Sequence, residues 1–210
     1  MIHSFPSDSG QAFPVYIAVV AGLLFLAFAY FAVGQAASTR NSAQTAADAA
    51  ALAAAQDARD QLSEGWLEVI LDPDQWGGYL AGKAYDSFSA CESAADFAAR
   101  NQAVLTSPGC EPHFSESNGF RVTVLTTGGE ANSARASAMA VIEPRCTFER
   151  QEPSPEPSTS PPAPPPSGEP EEEEPGPIVG LTCDGESWDI DPKDPRLPGV
   201  TELFTVRLSE

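Results

Sequence analysis

The stretch AFPVYIAVVAGLLFLAFAYFAV, Ala12 to Val33, decides how the rest of the chain is arranged. No charged residue lies between Asp8 and Arg40. Roughly 22 residues rising about 1.5 Å each make on the order of 33 Å of helix, enough to cross a hydrocarbon core. A core helix of a soluble protein seldom runs past about 14 apolar positions without a polar face, so the stretch predicts a transmembrane helix. Pro14 falls in its first turn, where the missing N–H costs nothing and the fixed φ favours helix. A cleaved signal is the competing use. Ala27-Phe28-Ala29 and Gly34-Gln35-Ala36 offer the small residues a peptidase needs, but the run is longer than a signal core and no Lys or Arg precedes it.

Outward from this segment the chain is short of both core and base. It has 210 residues, a formal net charge of -19, 20 prolines, 4 cysteines and 2 histidines. Once the span and a proline-rich stretch are set aside, about 130 to 150 residues remain, which is room for one small domain. The acidity argues against nucleic acid and against adsorption to anionic lipid, because both partners repel it. On the N-terminal side, residues 1–11 are too few to fold and read as a cytoplasmic stub.

On the C-terminal side the helical pattern continues. Gly34 to Leu62 holds no proline and is dominated by alanine, the best helix former. Ala43, Ala47, Ala51 and Ala55 recur at i+4, as do Ala46, Ala50, Ala54 and Ala58, while Arg40, Gln44 and Asp48 form a polar row. Two adjacent stripes of methyls suit close helix packing. The helix is therefore expected to run unkinked to about Ala58, with an alanine-rich extension at 34–62.

Asp8-Ser9-Gly10-Gln11-Ala12 entering a long apolar helix, then Arg40 and Gln44 leading into TAADAAALAAA at Thr45 to Ala55, resembles the N-terminal domain of Flp (tight-adherence) pilus-assembly TadG-like proteins. The resemblance covers roughly residues 8 to 56. It implies a membrane-anchored structural or assembly component of such a pilus, or of a related envelope system. The implied partners are other pilus or envelope membrane proteins and the lipid bilayer, with no nucleic acid and no small-molecule substrate.

From Ser63 the character changes. Gly65, Asp72-Pro73, Gly77-Gly78 and Gly82 punctuate short apolar pieces such as Trp66 to Leu71, predicting a helical turn or two with loops. Trp66, Trp76 and Tyr79 are read as core rather than as a ligand platform. Glu92 to Val104 predicts a second helix, with Ala95, Phe97, Ala98 and Val104 near one face and Cys91 and Cys110 bracketing it. Phe120 to Thr126 alternates and is β-branched, Gly128-Gly129 supplies a turn, and Ala134 to Ile142 alternates again, predicting an antiparallel pair. Residues 151–177 hold more than half the prolines, seven glutamates and no Lys or Arg, so they form an extended, disordered spacer. Ile178 to Cys183 and Leu203 to Leu208 alternate once more and are expected to return to the earlier sheet.

Parts for catalysis are missing from the sequence. His3 lies in the stub and His113 in an expected loop, too few for a Ser-His-Asp arrangement or a histidine metal site. Asp189, Asp191 and Asp194 fail the calcium-loop pattern and read as turn residues. No catalytic residue, cofactor or metal ligand is assigned, and the chain is not expected to be an enzyme. The named positions are instead the cysteines and the packing alanines Ala43, Ala47, Ala51 and Ala55.

The fold expected is a single-pass membrane protein. Its long N-terminal helix would lead into a small α+β, pilin-like extracytoplasmic domain with an antiparallel sheet and a disordered Pro/Glu-rich insertion. The segments are 1–11, 12–33, 34–62, 63–150, 151–177 and 178–210. Flanking charge alone would favour the opposite orientation, since Arg40 follows the span. Four cysteines suit an oxidising compartment and place Ser38 onward outside. Their three possible connectivities are weighted by spacing toward Cys91 with Cys110 and Cys146 with Cys183, the second pair tethering the spacer; the other pairings and free thiols stay open. Two further readings stand beside the pilus component: a general cell-surface binding domain on a helical tether, and a secreted binding protein with a cleaved signal.

Overall fold

The structure, a computed structural model, describes residues 12–114, 118–128, 133–150, 176–194 and 196–209. The stub, the turn residue Gly129 and the spacer from Gln151 to Pro175 lie outside the described residues. Helix α1, Ala12–Glu68, runs unbroken for 57 residues, about 86 Å at the standard rise. Its N-terminal part is one apolar window with none of its surface buried. From Ala43 onward the same helix becomes the centre of the folded domain. Ala43, Ala46, Ala47, Ala50, Ala51, Ala54, Ala55 and Ala58 are all fully buried.

The helix passes the ends expected at Ala58 and Leu62, and the loop signals at Ser63 and Gly65 do not stop it. Burial overrides propensity here: one stripe continues at i+4 from Ala58 through Leu62 to Trp66, all fully buried. Gly65 is needed for contact, since a Cβ at this position would run into the Tyr79 ring. Gly65→Ala is therefore expected to destabilise by about 1 to 3 kcal/mol through overpacking, outweighing the propensity gain. Gly34→Ala, with nothing within 4 Å of its Cβ position, should be neutral or better, and urea midpoints of the two variants make the comparison.

A 3-10 turn at Pro73–Gln75 leads into the short helix α2, Trp76–Leu80. Helix α3, Ser87–Arg100, starts earlier than the expected Glu92 because Asp86 caps it, accepting from the Phe88 N–H. It also ends earlier, and Val104 belongs to a strand. Its buried face is Ala90, Ala94 and Ala98, whereas Ala95 and Phe97 are exposed, correcting the face expected from the larger side chain. Small residues on both helices let α3 lie close along α1, and a polar clasp fixes the register. Asp57 accepts from Gln61 Nε2 at 2.6 Å, Ser93 Oγ at 2.7 Å and Ser89 Oγ at 3.3 Å. Gln61 exchanges bonds with the backbone of Asp86.

The main sheet has four antiparallel strands, β1 (Ala103–Phe114), β2 (Asn118–Thr126), β3 (Arg135–Pro144) and β7 (Phe204–Leu208), in the order β1-β2-β3-β7. The inner face of β2, Phe120, Val122 and Val124, is fully buried. His113, expected in a loop, lies on strand β1, which also holds Pro108 and Pro112. They are tolerated at the sheet edge, where the ladder skips from Leu105 opposite Val124 to Cys110 opposite Val122. The run ending at Leu208 does return to the main sheet, antiparallel to β3.

The run at Ile178 does not, which corrects the expectation for that half of the tail. Strand β5 (Ile178–Cys183) instead joins β4 (Cys146–Phe148) and β6 (Glu186–Ile190) in a second sheet of order β4-β5-β6. Gly180 explains part of the choice. Its φ of +104° lies in the region glycine favours, and its open Cα lets the Glu149 carbonyl approach while Glu149 N–H donates to Gly180 O at 3.0 Å. The short helix α4, Val200–Leu203, then leads directly into β7.

Candidate functional site

Three surfaces carry the sequence-named residues, and they differ in what is left accessible. On the membrane segment the large side chains point outward, Phe25 at 72%, Phe28 at 74% and Tyr30 at 84% exposure. Ala18, Ala21, Ala29 and Ala32 are exposed, and nothing comes within 4 Å of the Cβ position of Gly22. Among the described residues this part of α1 is left unburied, so its apolar and small-residue faces are available to lipid or to another helix.

The alanine stripes are the opposite case. Ala43, Ala47, Ala51 and Ala55 are fully buried within the chain's own domain, against α3 and the main sheet. Their packing role in this structure is internal. A partner helix cannot use them while the domain is folded.

The four cysteines form two bonds, Cys91–Cys110 and Cys146–Cys183, with Cα separations of 5.8 and 4.0 Å. The first joins α3 to the edge strand β1; the second joins directly opposed residues of β4 and β5 at the mouth of the spacer. Chain-entropy arguments put the stabilisation at about 3 kcal/mol for the shorter loop and about 4 kcal/mol for the longer one. Cys146→Ser with Cys183→Ser is expected to lower the urea midpoint more than the Cys91/Cys110 double variant does. Peptide mapping of unreduced protein, cut on both sides of the spacer, should recover Cys146 and Cys183 in one linked fragment.

The two tryptophans named from the sequence, Trp66 and Trp76, are internal. Trp66 and Trp76 meet edge to face at 5.4 Å between centroids, Trp76 meets Phe148 at 4.7 Å, and both indoles are fully buried. Tyr79 is half-buried against Gly65. Tyr85 stacks on Phe114 and leans on Phe120, and burial pushes its phenol up to about 12, so it keeps its proton. Asp191 accepts from the Lys193 N–H, and Asp194 N–H donates to Asp191 O, the bonds of a turn. His113 sits on β1 rather than in a loop.

Among the described residues, one unburied apolar span runs without a break into a small disulfide-bonded α+β domain. The helix suits one membrane crossing by length and composition, and the disulfides fit an extracytoplasmic domain. Residues 10–57 match the Tad family model, described as "Putative Flp pilus-assembly TadE/G-like", and the chain carries that domain there. The match ends beside the last buried turns of the alanine stripes, so it covers the span and the part of α1 around which the domain folds. The comparisons with curated proteins and with solved structures return no match.

Proposed function

We propose that this protein is a membrane-anchored structural or assembly component of a tight-adherence, Flp-type pilus system, and that it works by packing rather than by catalysis. The observation that carries the reading is the division of α1 within the matched segment. Its alanine faces are consumed inside the domain, whereas its apolar faces between Phe13 and Val33 stay open. Those open faces then meet lipid and the membrane helices of other pilus proteins. The folded domain, with residues 1–11 on the cytoplasmic side and Ser38 onward outside, meets envelope components there. A long helix laid against an antiparallel sheet also agrees with the pilin-like plan that the resemblance implies.

The test is recovery of pilus proteins with the detergent-solubilised full chain, together with protease treatment of intact, wall-stripped cells. Co-recovery of pilus components and loss of the C-terminal part to protease are the expected results. Full protection of that part would reverse the topology. Recovery without any pilus component would favour a general surface domain on a tether, and an intact mass lacking the span would make the protein a secreted one.

A further inference from the structure

The two edges of the main sheet are finished differently. On one side β1 is blunted by Pro108, Pro112 and the break in its ladder between Leu105 and Cys110. On the other side β7 covers only part of β3. Their pairing runs from Pro144 opposite Phe204 to Ala140 opposite Leu208, and Ser209 N–H adds one bond to Met139 O at 2.8 Å. Arg135 to Ala138 pair with β2 without an irregularity, and among the described residues no strand flanks them on the other side. This stretch of edge, about 13 Å long, carries neither a proline nor a bulge.

The bond from Ser209 shows that the Met139 carbonyl faces the β7 side. Backbone groups of an antiparallel strand alternate sides, so those of Ser137 and Arg135 face that side too, while those of Ala136 and Ala138 face β2. A groove of about 410 Å³ follows this edge. Gln44 and Asp48 of α1 line it from the inner side of the sheet and Ser137 and Met139 from the outer side, with Leu208 and Ser209 where β7 stops. Arg135 and Ser137 are exposed. Ala136 and Ala138 present only methyls toward α1, which leaves room there for side chains of an added strand.

Charge gives the occupant its chemistry. Asp48 is half-buried, its carboxylate accepts from Gln44 Nε2 at 2.7 Å, and among the described residues no ion pair neutralises it. Arg121, also in the groove lining, stands on the outer face opposite Met139 and donates to its sulfur at 3.7 Å. We propose that the open edge of β3 takes an extended segment of another protein as an added antiparallel strand, end to end with β7, and that a lysine or arginine of this segment meets Asp48. Main-chain bonds to Ser137 and Arg135 supply the affinity, and the Asp48 contact supplies selectivity. The proposal stands on the sheet edge and does not need the pilus reading.

The test uses the full chain in detergent and the acetylated, amidated peptide Val-Thr-Lys-Thr-Val-Thr, whose lysine shares a face with its valines. Amide exchange is resolved to single residues. With the peptide at millimolar concentration, exchange at Arg135 and Ser137 should slow by about 5-fold or more. A peptide with glutamate in place of the lysine should bind about 2- to 5-fold more weakly, and Asp48→Asn should erase that difference. Ser137→Pro removes an N–H that faces the open edge and not the β2 ladder. It should abolish the slowing at Arg135 while the Val122 and Val124 amides, which face β3, stay protected. If those two amides lose protection in Ser137→Pro, the Asp48→Asn comparison decides on its own. No slowing in the unaltered protein overturns the proposal, as does slowing that survives in folded Ser137→Pro, or equal binding of the two peptides. Protection of Arg135 and Ser137 in dilute protein without peptide would overturn it by making the chain's own residues the occupant. Protection that grows with protein concentration would overturn it in favour of a second copy.

Discussion

Ala50→Pro is expected to unfold the domain, or to leave it open to protease under conditions where the unaltered protein resists. Proline at this position removes the hydrogen bond to the carbonyl of Ala46 and drives its ring into that carbonyl, a cost of about 3 kcal/mol in any helix interior. The local cost is only the start. Ala50 is fully buried in the middle of a stripe that packs against α3 and the sheet, so a kink misaligns every turn on both sides of it. Against a domain stability of about 5 to 15 kcal/mol, the sum is large. Asp48→Ser, two residues away, removes one exposed bond from Gln44 Nε2 at 2.7 Å and should cost under about 0.5 kcal/mol. Limited proteolysis and urea titration in detergent give the comparison; equal tolerance of the two changes would mean that α1 does not organise the core.

Trp66→Ala should cost about 3 to 5 kcal/mol. The indole is fully buried at the point where the long helix meets α2, and its loss takes the edge-to-face contact with Trp76 at 5.4 Å along with the cavity. A contrast identifies the mechanism. Among the described residues Trp66 Nε1 has no hydrogen-bond partner, whereas Trp76 Nε1 donates to the Val69 carbonyl at 3.0 Å. Trp66→Phe therefore gives up volume but no polar contact and should stay within about 1.5 kcal/mol. Trp76→Phe also loses that bond, and because Val69 O keeps the Asp72 N–H at 2.9 Å, the added cost is about 0.5 to 1.5 kcal/mol. Urea midpoints followed through the remaining tryptophans would show Trp66→Phe as the milder of the two.

What could be seen in the sequence follows from periodicity. The apolar run, the two alanine stripes, the β2–β3 pair and the alternating Phe204 to Leu208 segment each carry a pattern long enough to be recognised. What could not be seen was decided by partners distant in sequence. Gly65 reads as a breaker until Tyr79 is known to lie against it, although Ala58, Leu62 and Trp66 at i+4 already signalled that the helix continued. Ala95, Phe97, Ala98 and Val104 were expected near one face of α3; the surface facing it is methyls, and Ala90, Ala94 and Ala98 are the residues buried against it. Pro108 and Pro112 concealed β1, since sequence does not say which strand will be an edge. The short strands β4 and β6 depend on β5 and on the Cys146–Cys183 bond, and three residues of β4 carry no pattern of their own.

The absence of a break between the membrane segment and the core has a mechanical meaning. A domain on a flexible tether samples orientations independently of its anchor, but here the rod long and apolar enough to cross a bilayer is the same rod on which α3 and the sheet are assembled. Tilting or rotating the span would swing the whole outer body through the same angle, with the far end of α1 travelling furthest. An array of such spans packed side by side would hold their outer domains in fixed orientation. A pull on the outside would reach the bilayer as torque on a helix rather than being absorbed in a loop.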